Sequence, residues 1–211
     1  MVNKIPKAIS SRLSFYYRSL SESRSSDYIR SEEIAKLTGF SAAQVRRDLT
    51  YFGHFGVPGR GYLIPELKEK VLEILGIDIQ WKVALIGVGN LGTALLSYKG
   101  FEEQKFRIVA ALDNDQRKVG SIKQGIKVRD INQLKQIIKK REIKIAIITV
   151  PATAAQEVVD KIVDSGIKTI LNFAPIKLKI PDSVDLLNID MSIILERLSY
   201  LATSRRKGIL N

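Results

Sequence analysis

An apolar run, Lys82-Val-Ala-Leu-Ile86, leads directly into Gly87-Val-Gly-Asn-Leu-Gly92, and a second apolar run ends in Ala-Leu-Asp113. This order of strand, glycine turn, helix start and second strand constrains the fold more than any other feature of the chain. The three glycines permit a tight turn, close approach of backbone to a pyrophosphate, and helix–strand packing. The helix start favours phosphate charge. The expected cofactor is a dinucleotide held by Gly87, Val88, Gly89, Asn90, Leu91, Gly92 and Thr93. Asp113 is expected to accept from the adenosine ribose hydroxyls, which favours NAD(H) over NADP(H), although Arg117 close by keeps NADP open.

Downstream, apolar runs at 83–86, 106–112, 145–150, 169–173 and 184–187 alternate with helical patterns such as 152–164. Near-continuous apolar strands of this kind belong to a doubly wound parallel sheet covered on both faces. Val150-Pro-Ala152 and Phe173-Ala-Pro175 fall at strand ends, on the carboxyl edge where open α/β sheets bind ligands. Both are candidate walls for the nicotinamide half of the cofactor.

The preceding eighty residues have a different character. Pro6 can open a helix carrying Leu13, Tyr16, Tyr17 and Leu20 at helical spacing. Ser31 is the expected N-cap of a second helix with Ile34, Ala35 and Leu37 inward. Gly39 then turns the chain, and Ser41 with Gln44 reads as a capping box opening a third helix. Helix, glycine turn, helix is the helix-turn-helix pattern, and the third helix presents Gln44, Arg46, Arg47, Asp48 and Thr50. The glycine-dense segment 52–62 stands where a winged helix has its wing, with Arg60 at the tip able to enter a minor groove. His54 falls in the same segment and reads as a wing or surface residue. Candidate DNA contacts are therefore Ser41, Gln44, Arg46, Arg47, Thr50, Tyr51, Gly59 and Arg60. A helix over 65–75 closes the domain, and 76–80 reads as a linker. The expected organisation is a winged-helix domain over 1–78, a Rossmann domain over 79–190 and a C-terminal helical segment over 191–211.

The net charge of +12 favours a polyanionic partner such as duplex DNA. The basic excess is spread along the chain, and Lys139-Lys-Arg141 reads as a solvated helix end. Absence of cysteine excludes disulfides, thiolate metal sites and cysteine nucleophiles, and no metal site is expected. No uncharged apolar run is long enough to span a bilayer, the first residues lack the apolar core of a secretory signal, and a cytoplasmic location is expected.

Hydride transfer to a carbonyl usually needs a proton donor near the nicotinamide. The single histidine is His54, far from the glycine motif in sequence, and no tyrosine is followed four residues later by lysine. No catalytic residue is assigned. The rival readings are an NAD-dependent dehydrogenase with an accessory helical domain, and a DNA-binding regulator that senses another nucleotide.

Taken together, Val45-Arg-Arg-Asp-Leu-Thr-Tyr-Phe-Gly-His-Phe-Gly56, Gly59-Arg-Gly-Tyr62, the glycine motif, Asn172-Phe-Ala-Pro175 and Asn188-Ile-Asp190 resemble the Rex family of redox-sensing transcriptional repressors over essentially the whole chain. The resemblance implies a homodimer on a palindromic operator, released by NADH and left in place by NAD⁺. It also implies that the terminal helix, about 192–206, is exchanged between subunits. Ile193, Ile194, Leu195, Leu198 and Leu201 give that helix a broad apolar surface. A switch network is implied at Arg18, Tyr98 and Asp190, with Tyr98 and Asp190 also near the cofactor.

Overall fold

The computed structural model describes residues 7–22, 27–53 and 56–206. Pro6, His54, Phe55 and Lys207 lie outside the described residues, and with them the expectations attached to Pro6 and His54. The chain divides into two compact units, Met1–Ile79 and Gln80–Asn211.

In the first unit, α1 (Lys7–Glu22) lays Leu13, Tyr16 and Leu20 on one face, all fully buried. They pack with Ile34 of α2 (Ser31–Thr38), Val45 and Leu49 of α3 (Ala42–Thr50), and Leu67 and Val71 of α4 (Ile64–Leu75). Each such buried side chain contributes about 1.5–3 kcal/mol of apolar transfer. Gly39, at φ +75°, ends α2 in the left-handed conformation that glycine takes without strain.

Three strands, β1 (Tyr28–Ile29), β2 (Gly56–Val57) and β3 (Gly61–Leu63), form a small sheet in the order β1-β3-β2. Between β2 and β3, Arg60 N–H donates to the Val57 carbonyl at 3.0 Å across Pro58 and Gly59, with Gly59 at φ +77°. Proline second and a positive-φ glycine third is the signature of a type II turn.

Three local features differ from the sequence expectation. The N-cap of α2 is Arg30, whose N–H donates to Glu33 Oε2 at 2.8 Å, and Ser31 is the first helical residue. Leu37 is 60% exposed, so the inward face of α2 is carried by Ile34 with Ala35 half-buried beside it. At α3 only half of the capping box forms. Ser41 Oγ accepts from Gln44 N–H at 3.1 Å, while the Gln44 side chain donates to Asp48 at 2.7 Å.

The second unit is built on a seven-stranded sheet. Its strands are β4 (Trp81–Ile86), β5 (Phe106–Asp113), β6 (Ile122–Lys123), β7 (Ile126–Asp130), β8 (Ile145–Ile148), β9 (Thr169–Asn172) and β10 (Asp185–Asn188), in the order β10-β9-β8-β4-β5-β7-β6. All pairings are parallel except β6 with β7. The six parallel strands have the doubly wound Rossmann order, with its topological switch point between β4 and β8. The β6–β7 hairpin was not visible as strands in the sequence, because Ile122, Lys123, Ile126, Lys127 and Arg129 alternate with charge at a sheet edge.

Alternate residues of each strand feed two separate apolar layers. Ala84, Ile86, Ala110, Leu112, Ala146 and Ile148 meet α7 (Leu134–Arg141, reached through a short 3-10 turn at Ile131–Gln133) and α8 (Ala152–Asp164). Val83, Leu85, Ala111 and Ile147 meet Leu95 and Leu96, at and beside the end of α5 (Asn90–Leu96), and Phe101 of α6 (Gly100–Glu103). The last helix, α9 (Met191–Arg206), is capped by Asp190, whose Oδ1 accepts from Ser192 N–H at 2.9 Å.

Candidate dinucleotide cleft and helix-turn-helix

The turn after β4 is fixed by protein atoms on three sides. Gly87 stands at φ +97°, and a Cβ there would fall 2.8 Å from the Thr149 backbone. A Cβ on Gly92 would fall 2.0 Å from the Gly87 carbonyl oxygen. Thr149 Oγ1 donates to that same carbonyl at 2.7 Å, tying the end of β8 to the turn. Gly89 differs: its φ is an ordinary −85°, and nothing lies within 4 Å of where its Cβ would be. Packing within the protein accounts for Gly87 and Gly92 and leaves Gly89 unexplained.

That open space belongs to a cleft of about 470 Å³ at the carboxyl ends of β4, β5 and β8. Of the residues expected in the site, Gly87, Gly89, Asp113, Val150 and Pro151 line it, and Ala152 is the first residue of α8 beside it. Phe173, Ala174, Pro175, Tyr98 and Asp190 are not among its lining residues. Phe173 is half-buried in the apolar layer beside Leu171. Tyr98 is 59% exposed, its ring edge-on to Phe101 at 5.1 Å. Arg18 is an exposed residue of α1 in the first unit.

Asp113 is 6% exposed and already engaged. Its Oδ2 accepts from Val88 N–H at 2.7 Å and from Lys118 Nζ at 3.1 Å, and its Oδ1 accepts from Asp115 N–H at 2.9 Å. Burial alone would raise its pKa, but these donors outweigh it and hold the carboxyl below the usual range. The first role of Asp113 is thus to hold the glycine turn. Arg117 is gripped by both oxygens of Asp115, at 2.9 and 2.8 Å, and this pair pulls the Asp115 pKa down to about 2. The sequence reading missed Lys118 and Asp115 as cleft residues because neither carries a motif. It also missed Thr149 and Asn172 as fixing residues. Asn172 is fully buried and bonds Ala174 through both its oxygen and its nitrogen, and Asn188 through its nitrogen.

In the first unit, α3 has two functional faces. Asp48, which is not among the candidate DNA contacts, is 1% exposed and faces α1. It accepts from Arg12 Nε and NH2 at 2.5 and 2.8 Å, from Tyr16 Oη at 2.8 Å and from Gln44 Nε2 at 2.7 Å. Arg46 is held by Ser31 Oγ at 2.8 Å and Glu32 Oε1 at 2.7 Å. Thr50 Oγ1 donates to its own helix at the Arg46 carbonyl, and exposed Tyr51 packs edge-on to Phe52 at 5.3 Å. Arg47 is exposed and has no hydrogen-bond or ion-pair partner among the described residues. Arg60, on the wing turn, rests its guanidinium 5.7 Å from the centre of the Tyr28 ring.

Among the described residues no group of acidic or histidine side chains could hold a metal ion, and no helix is long and apolar enough to cross a membrane.

Fold and cleft together define a two-domain protein, a winged helix-turn-helix followed by a Rossmann dinucleotide-type domain. Residues 4–50 match the family "Putative DNA-binding protein N-terminus", and residues 78–176 match the family "CoA binding domain". The chain belongs to the Rex family of redox-sensing transcriptional repressors. It is 43% identical to the redox-sensing transcriptional repressor Rex of Desulfitobacterium hafniense over 96% of this chain and 98% of that one. It is 45% identical to the Rex of Syntrophomonas wolfei over 97% and 99%. The crystal structure of RSP in complex with β-NAD⁺ and operator DNA superposes with a TM-score of 0.91 at 35% identity, covering 98% of this chain and 96% of that one. RSP in complex with β-NADH gives 0.85 at 34% identity, covering 97% of each.

Proposed function

We propose that this chain is a redox-sensing transcriptional repressor. As a homodimer it binds a palindromic operator through two winged helices, NAD⁺ leaves it there, and NADH at the Rossmann cleft releases it. The observation that carries the reading is the pairing, in one chain, of a helix-turn-helix whose exposed Arg47 has no partner among the described residues with a glycine turn whose Gly89 faces open space. Full-length relatives solved with operator DNA and NAD⁺, and with NADH, support it. They also favour it over the dehydrogenase alternative, as does the name repressor carried by the curated relatives.

The site residues follow from this reading. Gly87 to Thr93 cradle the pyrophosphate. Asp113, Asn114 and Asp115 face the adenosine ribose, where a 2′-phosphate would meet carboxylates, so the cofactor is NAD(H). Val150, Pro151 and Ala152, with Phe173, Ala174 and Pro175, flank the nicotinamide. An apolar ring such as Phe173 there disfavours the cationic oxidised ring by desolvation. Ser41, Gln44, Arg46, Arg47, Thr50 and Tyr51 face the DNA major groove, and Gly59 and Arg60 the minor groove.

Two winged helices must meet successive major grooves about 34 Å apart. NADH shifts the dimer from that arrangement only to the extent that it binds the alternative state more tightly. We assign the switch to Arg18, Tyr98 and Asp190, and the dimer contact to an exchanged α9, whose large apolar side chains are exposed in the single chain. The protein works in the cytoplasm, where the operator and the NADH/NAD⁺ pool are.

Fluorescence anisotropy on a labelled palindromic operator at fixed salt tests the proposal. Release at NADH concentrations where NAD⁺ does nothing is expected. Tight DNA binding indifferent to both, or turnover of a substrate without DNA binding, overturns it.

A further inference from the structure

A second cleft, of about 670 Å³, lies in the Rossmann unit away from the glycine turn. Its origin is a local parting of two strands. A bulge in β5 sets Val83 opposite Ile108 but Ala84 opposite Ala110, and the β5–β7 ladder begins only at Ala111 and Val128. Residues 107–110 therefore have no paired neighbour on the β7 side, and the groove opens between the two strands and α7. Arg141 donates a guanidinium hydrogen bond to the carbonyl of Val109, the bulged residue.

Five cations line this groove, Arg107 from β5, Lys127 and Arg129 from β7, and Lys140 and Arg141 from the end of α7, and no carboxylate does. Among the described residues Arg107 alone of the five has an ion-pair neighbour, Glu102 at 4.0 Å, and Arg141 is occupied by the Val109 carbonyl. Lys127, Arg129 and Lys140 make no ion pair among the described residues. Like charges converging on a concavity repel one another, and the concavity focuses their field onto whatever anion enters. The volume lies within the range of small-molecule sites. A lysine end of a helix facing bulk water needs no such convergence from three elements.

We propose that this groove is a second ligand site, taking a nucleotide-sized phosphorylated small molecule with two or more phosphoryl groups. Arg129 supplies bidentate phosphate geometry, and Lys127 and Lys140 supply point charges. Val109 and Ile137 offer an apolar wall to the remainder of the molecule. Concavity favours a compact anion over a DNA backbone, which needs its cations on an open surface.

The probe is inorganic tripolyphosphate, titrated calorimetrically into the full chain at physiological ionic strength. The variants are Lys127→Gln with Arg129→Gln, and separately Lys140→Gln. All three are exposed side chains that make no ion pair among the described residues, and Arg141 is left intact. Wild type is expected to bind, and the double variant to bind about tenfold or more weakly, which corresponds to about 1.4 kcal/mol. Lys140→Gln is expected to weaken it in the same direction, and serves alone should the double variant not fold. Absence of binding to wild type overturns the proposal. So does binding that neither variant alters, which places the anion elsewhere, at the glycine turn for instance. A loss of operator affinity in the variants with no tripolyphosphate binding assigns the groove to DNA instead and overturns it as well.

Discussion

Arg12 grips Asp48 through two parallel hydrogen bonds, Nε to Oδ2 at 2.5 Å and NH2 to Oδ1 at 2.8 Å, and so fixes the third helix against the first. Tyr16 and Gln44 complete the shell of this carboxylate. Removing one partner of a buried ion pair usually costs 3–5 kcal/mol, because the other is left uncompensated. Arg12 keeps a fifth of its side-chain surface in water, at 21%. Asp48→Asn is therefore expected to destabilise the N-terminal unit by about 3 kcal/mol, at the lower end of that range. Urea denaturation followed by circular dichroism measures it, and a change below the error of the midpoint contradicts the assignment.

Acid acts on the same carboxylate. Burial alone would raise the Asp48 pKa, but the bonds from Arg12, Tyr16 and Gln44 outweigh it and hold the value below the ordinary one. A depressed folded-state pKa means stability that is fully present above the unfolded value, about 3.9, and lost as pH falls through the folded value. Asp113 has the same direction of shift in the second unit. Stability of both units is expected to hold from neutral pH to about 4 and to fall below it. In Asp48→Asn the acid limb of the first unit flattens, which a series of urea midpoints against pH reads directly.

Gly89 and Gly92 separate ligand binding from folding. At φ −85° and with open space at its Cβ, Gly89 tolerates alanine structurally. Gly89→Ala is expected to keep its melting temperature and lose tenfold or more in NADH affinity, about 1.4 kcal/mol. At Gly92 the added methyl meets a backbone oxygen, so Gly92→Ala is expected to lose about 1–3 kcal/mol of stability before any ligand is added. Thermal melts with and without NADH distinguish the two; equal stability losses refute the distinction.

What the sequence made legible follows from where the chemistry is local. Gly87 and Gly92 announce the turn because only glycine suits the positive φ of the one and the close approach of the other, and the apolar runs on either side announce buried parallel strands. The helix-turn-helix was readable from Gly39 and Ser41 for the same reason. The burial of Asp48 was not legible in the sequence. Its partner Arg12 stands 36 positions away, and no local pattern pairs them. Asp113 was found, yet its bonds to Val88 and Lys118 depend on the folded loop. The hairpin at Ile122–Lys123 and Ile126–Asp130 was invisible because its edge strand is two residues long and Lys127 and Arg129 break the apolar run of the other.

Arg46 and Arg47 are neighbours with different duties. Arg46 is committed to Ser31 and Glu32 across the helix-turn-helix, whereas Arg47 is exposed on the same helix with no partner among the described residues. Arg47→Ala is expected to weaken operator binding by about 1–3 kcal/mol without changing stability. Arg46→Ala is expected to shift stability by less than about 1 kcal/mol, as for other exposed ion pairs, and to affect DNA less than Arg47→Ala does. Anisotropy titrations at two salt concentrations rank the two variants, and the reverse ranking contradicts the assignment.

The last helix cannot be stable as an isolated surface element. Ile193, Ile194, Leu195 and Leu198 are each more than half exposed, with Leu195 at 66%, and Tyr200 and Leu201 extend the same apolar surface. A helix apolar around most of its circumference is a buried helix. Burying each leucine or isoleucine contributes about 1.5–3 kcal/mol, so leaving four of them in water on every copy forgoes several kcal/mol that a covering partner recovers. Leu195→Glu places a carboxylate in that surface and, if α9 forms the proposed dimer contact, sedimentation velocity is expected to show a dimeric wild type and a monomeric variant. Operator affinity should fall with it, because two half-sites are then met by independent chains. A dimer that survives both Leu195→Glu and Leu198→Glu would show that α9 is covered by something other than a second copy.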